Sequence, residues 1–181
     1  MHFTGTVFFD FDSYDVWRIH TVLLKASQDN SVTVDVEWRA FTDEDLGSGS
    51  EAVRALAACE VVRTASPEQH ERFVRAMLTL AFQERDDPGA AKTLAVAAKV
   101  AGMEADEVLS AIDEPGMRLL AASIASARER GVGGVPTIER HGPPVLIRTS
   151  GAASYGDAVA RLRLLDHMLR DDGIWVMLKP E

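Results

Sequence analysis

Asp10 and Asp12 stand two residues apart in Val7–Trp17, VFFDFDSYDVW, where an apolar run meets polar residues. Paired carboxylates suit phosphoryl transfer, one attacking phosphorus while the other protonates the leaving group. Ser13 follows at once, at the head of an amphipathic segment. Its hydroxyl could act as a nucleophile only with a general base beside it, and it equally suits a helix N-cap. Tyr14 and Trp17 follow closely enough to line a pocket at that point, although Trp17 also fits a core position. His20 is the one histidine placed near this cluster. His2, His70, His141 and His167 are scattered without metal-ligand spacing, so no metal site is expected. Cys59 is the only cysteine. No intrachain disulfide can form, and the thiol lies in a small-residue helical stretch, LAACEVV, that predicts an inert buried group.

The elements that must position these residues follow from periodicity. Val7–Phe11 is a short buried strand, and Asp12 or Ser13 caps a helix that turns Val16, Trp17, Ile19, Leu23 and Leu24 inward and stops near Asp29–Asn30. Val32, Val34, Val36, Trp38 and Ala40 alternate with polar residues, as in an edge strand with one wet face. Ser50 to Arg130 has helical periodicity and room for four or five helices. SPEQ at Ser66–Gln69 is a capping box, Asp87–Pro88 starts another helix, Gly102 ends one, and a long helix runs from Pro115 to Gly131. Val135–Glu139 and Val145–Thr149 form a hairpin, and a last helix spans Ser154–Arg170. A strand-helix-strand unit implies a parallel pair, to which the hairpin adds antiparallel strands.

The chain has 181 residues and a net charge of -9. That acidity excludes nucleic acid as a partner, since phosphate binding needs a basic footprint. No run approaches the roughly 18 apolar residues of a membrane span, and the N-terminus lacks the basic region of a signal peptide. A cytoplasmic protein with no membrane partner is expected.

Two resemblances compete. FFDFDSYD is similar to the first motif of the haloacid dehalogenase superfamily, which implies Asp10 as nucleophile, Asp12 as general acid and Mg²⁺ between them. VLIRTS could supply a later Ser or Thr of that family at Thr149, but about thirty residues then remain for two further motifs and their strands. The second resemblance covers nearly the whole chain. VEWRAF (Val36–Phe41), GVGGVPTI (Gly131–Ile138) and the helical segment Ala76–Met103 resemble the DsbA-like branch of the thioredoxin superfamily. Its relatives include FrnE-like oxidoreductases, kappa-class glutathione transferases and 2-hydroxychromene-2-carboxylate isomerases. This resemblance implies an α/β thioredoxin fold with a helical domain inserted between strand two and the cis-proline loop. The boundaries are 1–48 and 131–181 for the thioredoxin-like part and 49–130 for the insertion.

Redox members of that family carry Cys-Pro-x-Cys where this chain reads Ser13-Tyr14-Asp15-Val16. Thiol–disulfide exchange needs an attacking thiolate and a resolving thiol, and neither is present. The resemblance implies a cis bond before Pro136, with the backbone of Val135 exposed to a ligand. It therefore points to a non-redox binding protein using a groove between helix one and the Pro136 loop, lined by Ser13, Tyr14, Trp17, Val135 and Pro136. The alternative is a transferase or isomerase in which Ser13 serves a bound low-molecular-weight thiol, glutathione or mycothiol. No other cofactor is implied, and the partners are a small thiol or an extended peptide. Asp12 and Asp15 beside Ser13 are expected to repel a thiolate.

Overall fold

The structure is a computed structural model that describes residues 1–149 and 157–170. Four strands form one sheet in the order β2-β1-β3-β4. The strands are β1 (His2–Phe9), β2 (Thr33–Ala40), β3 (Thr137–Glu139) and β4 (Val145–Leu146). β1 pairs parallel with β2, from His2 opposite Thr33 to Phe9 opposite Ala40. It pairs antiparallel with β3, and β3 pairs antiparallel with β4. This is the mixed sheet that the strand-helix-strand unit and the hairpin predict.

β1 is longer than its apolar run. Pairing with β2 carries it back to His2, although only Phe3 is buried in the first four residues. It stops at Phe9, not Phe11, because Asp10 bends the chain. Val7, Phe8 and Phe9 are buried as a continuous run, since helices cover both faces there. β2 is an edge strand, and its exposed Thr33, Asp35 and Glu37 alternate with Val34, Val36 and Trp38. Such charges discourage pairing with another chain.

Helix α1 (Tyr14–Ala26) buries Val16, Ile19, His20, Leu23 and Ala26, one face at helical spacing. Trp17 and Leu24 are only half-buried, at the margin of that face. α1 packs against α7 (Ala158–Met168), which Asp157 caps through a 2.9 Å bond from the Ala160 amide. The expected start of this helix at Ser154 lies outside the described residues. Arg140 ties α7 to the sheet: it donates to Asp166 (2.6 Å), to the His2 carbonyl (2.9 Å) and to the Thr4 carbonyl, and stacks over Phe3.

Five helices fill the middle: α2 (Glu51–Arg63), α3 (Pro67–Thr79), α4 (Ala91–Val100), α5 (Ala105–Ser110) and α6 (Met117–Glu129). α2 is buried nearly all round, as its Val-Leu-Ala-rich sequence requires. α6 packs on β2, and a single hydrophobic cluster joins the sheet to these helices. Ser66 accepts from the Gln69 amide at 3.1 Å, but the Gln69 side chain reaches the Gly102 carbonyl instead of closing the box. Gly102 and Gly131 end α4 and α6 at φ +77° and +88°, each followed by the six-to-one bond of a Schellman turn.

Three sequence expectations need correction. Asp87–Pro88 does not start a helix: Asp87 accepts from the Gly89 amide in a tight turn, and α4 begins at Ala91. That turn lies against α2, where a Cβ on Gly89 would come within 2.3 Å of Glu51 backbone atoms. Pro115 lies in an irregular turn, Ile112–Gly116, ahead of α6. The hairpin strands are shorter than drawn, because Pro136 has no N–H to give, although its carbonyl still accepts from Ile147 at 2.8 Å. Among the described residues no helix is long and apolar enough to cross a membrane.

Candidate functional site

Ser13 caps α1. Its Oγ accepts from the Val16 amide at 3.4 Å, a long bond, while its own amide donates to Asp10 Oδ1 at 2.7 Å. Asp10 Oδ1 also accepts from the Asp12 amide at 3.2 Å. One carboxylate thus organises the turn from β1 into α1. Burial pushes the Asp10 carboxyl up to about 6, against the lowering effect of the Ser13 amide, with Asp12 and Asp43 adding repulsion. Asp12 is raised too, first by burial and then by Glu44 and Asp87.

The Asp-x-Asp pair is therefore a turn device. Asp10 spends an oxygen on backbone amides, and the sheet holds the antiparallel pairs β1–β3 and β3–β4. Among the described residues no group of three or more acids, histidines or cysteines could hold a metal ion. The arrangement does not fit the Mg²⁺ that phosphoryl transfer would use.

Asp15 differs from the sequence expectation. Its carboxylate accepts from the Thr149 hydroxyl and, at 3.3 Å, from the Thr149 amide. Arg18 stands 4.0 Å away and Arg148 3.9 Å away. Its carboxylate thus has two arginines nearby, one on its own helix and one from the far end of the chain, whereas Asp12 sits among like charges.

The Val135–Pro136 peptide bond is cis, as the GVPT segment predicts. The Val135 carbonyl is not free: Arg148 Nη1 donates to it at 3.1 Å. Arg148 therefore spans from the cis loop to Asp15 in the first turn of α1, bringing Val135 and Pro136 to within one side chain of that turn. Its own side chain is 67% exposed.

An aromatic row continues from this point along α1. Tyr14 is exposed and lies 6.1 Å from Phe82, which stacks on Trp17 at 5.7 Å and 13°. Trp17 stacks in turn on His20, and His20 meets Trp38. Phe82 comes from the wide π-type turn Leu80–Glu84 at the end of α3. Sequence reasoning missed Phe82 and Arg148, and it named Thr149 as a site residue only in the dehalogenase reading, not as a partner of Asp15. No local pattern marks them, since each reaches the α1 terminus only through the tertiary fold.

Ser13 has no imidazole beside it. His20 is sandwiched in the aromatic row, and burial pushes it down to about 4, with Arg75 adding to the effect. Cys59 is sealed in α2, 3.2 Å from His70 Nε2, and burial holds its thiol well above the usual range. With Cys59 the single cysteine, and sealed in the core, no cysteine pair is present for thiol exchange.

A family model described as "DSBA-like thioredoxin domain" matches residues 41–155, a span that includes the cis loop and starts after α1. No curated protein matches the chain. Solved structures share its architecture at low identity. A 2-hydroxychromene-2-carboxylate isomerase superposes with TM-score 0.67 at 15% identity, covering 92% of this chain and 94% of the other. A thioredoxin-like oxidoreductase from Silicibacter pomeroyi DSS-3 gives 0.60 at 19%, covering 89% and 86%. The oxidoreductase DsbA from Xylella fastidiosa gives 0.59 at 17%, covering 92% and 83%.

Proposed function

The chain belongs to the DsbA-like thioredoxin family without that family's cysteine pair, and on that premise we propose that it is a non-redox binding protein. The ligand groove lies between the first turn of α1 and the Val135–Pro136 loop, with Ser13, Tyr14 and Trp17 on one side. Phe82, Arg148 and Thr149 extend it. The observation that carries this reading is the position of Arg148. Two thirds exposed, it holds the Val135 carbonyl by one hydrogen bond, and a mobile arginine can give that acceptor up to an incoming N–H.

An extended peptide segment fits best. Its backbone would pair with Val135 in the manner of an added strand, and an apolar side chain would lie on Tyr14 and Phe82. Asp12, with Glu44 and Asp87 close by, disfavours an anionic ligand at the helix terminus. A cytoplasmic setting accords with a single thiol that has no partner cysteine.

The second reading, a low-molecular-weight-thiol-dependent transferase or isomerase, is favoured by one observation. Arg18 and Arg148 flank the first turn of α1 and could meet the carboxylates of glutathione or mycothiol. Amide NMR titration separates the two readings. A neutral extended peptide should shift Tyr14, Val135 and Arg148, while glutathione and mycothiol bind no tighter than about millimolar. Micromolar thiol binding that Ser13→Ala abolishes would reverse the order.

A further inference from the structure

The chain itself lies across the mouth of the peptide groove. Past β4, residues Ile147–Thr149 run on beside the cis loop. The Ile147 amide donates to the Pro136 carbonyl at 2.8 Å, and a Cβ on Gly134 would stand 3.5 Å from Leu146 Cδ1 and 4.0 Å from Arg148 Nη2. From there two side chains cross to α1. Arg148 Nη1 donates to the Val135 carbonyl at 3.1 Å and stands 3.9 Å from Asp15. The Thr149 amide donates to Asp15 Oδ1 at 3.3 Å and its hydroxyl donates to the same oxygen, while Arg18 Nη1 donates to that hydroxyl at 2.8 Å. Asp15 is the second residue of α1, where a carboxylate ordinarily serves the free amides of its own helix. Here it is spent on a segment 134 residues away.

A ligand strand would pair with Val135 through both its N–H and its C=O. The Val135 amide has no hydrogen-bond partner among the described residues, whereas its carbonyl already holds Arg148. We propose that Ile147–Thr149 is an autoinhibitory clasp, in which Arg148 stands in for the ligand's N–H at Val135 and Asp15 holds the closed position. Resting on the peptide-groove reading, the clasp adds a regulation of that same site. Its two ends differ in burial. The side chains of Arg18 and Asp15 are 16% and 19% exposed, so Thr149 is held firmly, while the exposed Arg148 is the end that lets go. A ligand must meet the clasp open, and its affinity is the intrinsic one reduced by the open fraction. One exposed hydrogen bond of ordinary strength sets that factor at about fivefold.

The probe is acetyl-Gly-Leu-Val-Thr-Gly-amide, a blocked peptide without charge, followed by amide NMR in the full chain. Arg148→Ala should bind it about fivefold more tightly than the parent. Asp15→Asn and Thr149→Val loosen the other end of the clasp, and each should tighten binding about twofold. Thr149→Val keeps the size of the side chain and serves if Asp15→Asn does not fold. The double variant Asp15→Asn/Arg148→Ala should bind no more tightly than Arg148→Ala alone, since both changes open one clasp. A segment with a merely structural role would give weaker binding in these variants, not tighter. Parent-like affinity in Arg148→Ala, or in both Asp15→Asn and Thr149→Val, would overturn the clasp and leave the groove standing. So would gains that add in the double variant. A peptide that shifts neither the Tyr14 nor the Val135 amide, in the parent or in Arg148→Ala, would overturn the groove and the clasp with it.

Discussion

At the residue scale, the turn after β1 holds a carboxylate at a cost. Asp10 is raised to about 6 from 3.8, so its favourable contribution is full below pH 3.8 and is lost as pH rises through 6. Asn at this position keeps an oxygen for the Ser13 and Asp12 amides and removes the repulsion from Asp12 and Asp43. Asp10→Asn should therefore stabilise the protein by about 1–2 kcal/mol at pH 7, read as a higher urea midpoint, with the gain vanishing near pH 4. A loss at pH 7 would mean that the negative charge itself holds the turn. Cys59 makes the opposite kind of prediction. With no exposed surface and a raised thiol, it should resist a dithiobis-nitrobenzoate probe in the native protein and react fully in urea. Insulin reduction should not exceed the buffer rate, and turnover that survives Cys59→Ala would refute the non-redox assignment. Ser13 as a cap was legible because it rests on local chain geometry, and the cis bond before Pro136 because the GVPT segment resembles the family's loop. The contacts of Asp15 with Thr149 and Arg148 were not, since both lie more than 130 residues away in sequence.

At the scale of elements, sequence patterns worked where one period governs a segment and failed where two elements touch. The edge strand β2, the face of α1 and the glycine ends of α4 and α6 all follow from local rules. Asp87–Pro88–Gly89 did not, because Asp-Pro reads equally as a helix start or a turn, and contact with α2 decides it. Gly89 is the test of that contact. A methyl group there would meet Glu51 backbone atoms 2.3 Å away, which cannot shift as a side-chain tip would. Gly89→Ala should destabilise by about 2 kcal/mol or more, measured by chemical denaturation. A variant as stable as the parent would show that this turn stands off from α2. Phe82 belongs to the same lesson: the π-type turn that aims it at Tyr14 and Trp17 has no sequence signature, so a wall of the candidate groove was hidden in the helical block. Phe82→Ala should weaken peptide binding several-fold in the same NMR titration, because it removes one aromatic surface while the Val135 backbone remains.

At the scale of the whole molecule, burial of polar groups sets the response to acid. His20 and His70 are both pushed down to about 4 from 6.5, chiefly by burial. Each binds a proton more readily in the unfolded chain, so each removes stability as pH falls from 6.5 towards 4. Asp10 acts in the opposite direction over nearly the same window, since the folded protein holds its proton up to about 6. Two histidines against Asp10, with Asp12 raised in the same sense as Asp10, leave a net uptake of less than about one proton on unfolding, a loss of under about 1.4 kcal/mol per pH unit within that range. Asp166 and Asp29 are lowered, Asp166 by hydrogen bonds from Arg140, His141 and Arg170 that outweigh its burial and Asp29 by those from Ser31, so their contributions are lost only at lower pH. The urea midpoint should thus fall between about pH 6.5 and 4.5, and in Asp10→Asn, where the larger of the two opposing groups is gone and Asp12 remains, the slope should steepen. A midpoint that stays flat in both proteins would show that His20 and His70 titrate as they do in water. It would place the His20 ring in contact with solvent.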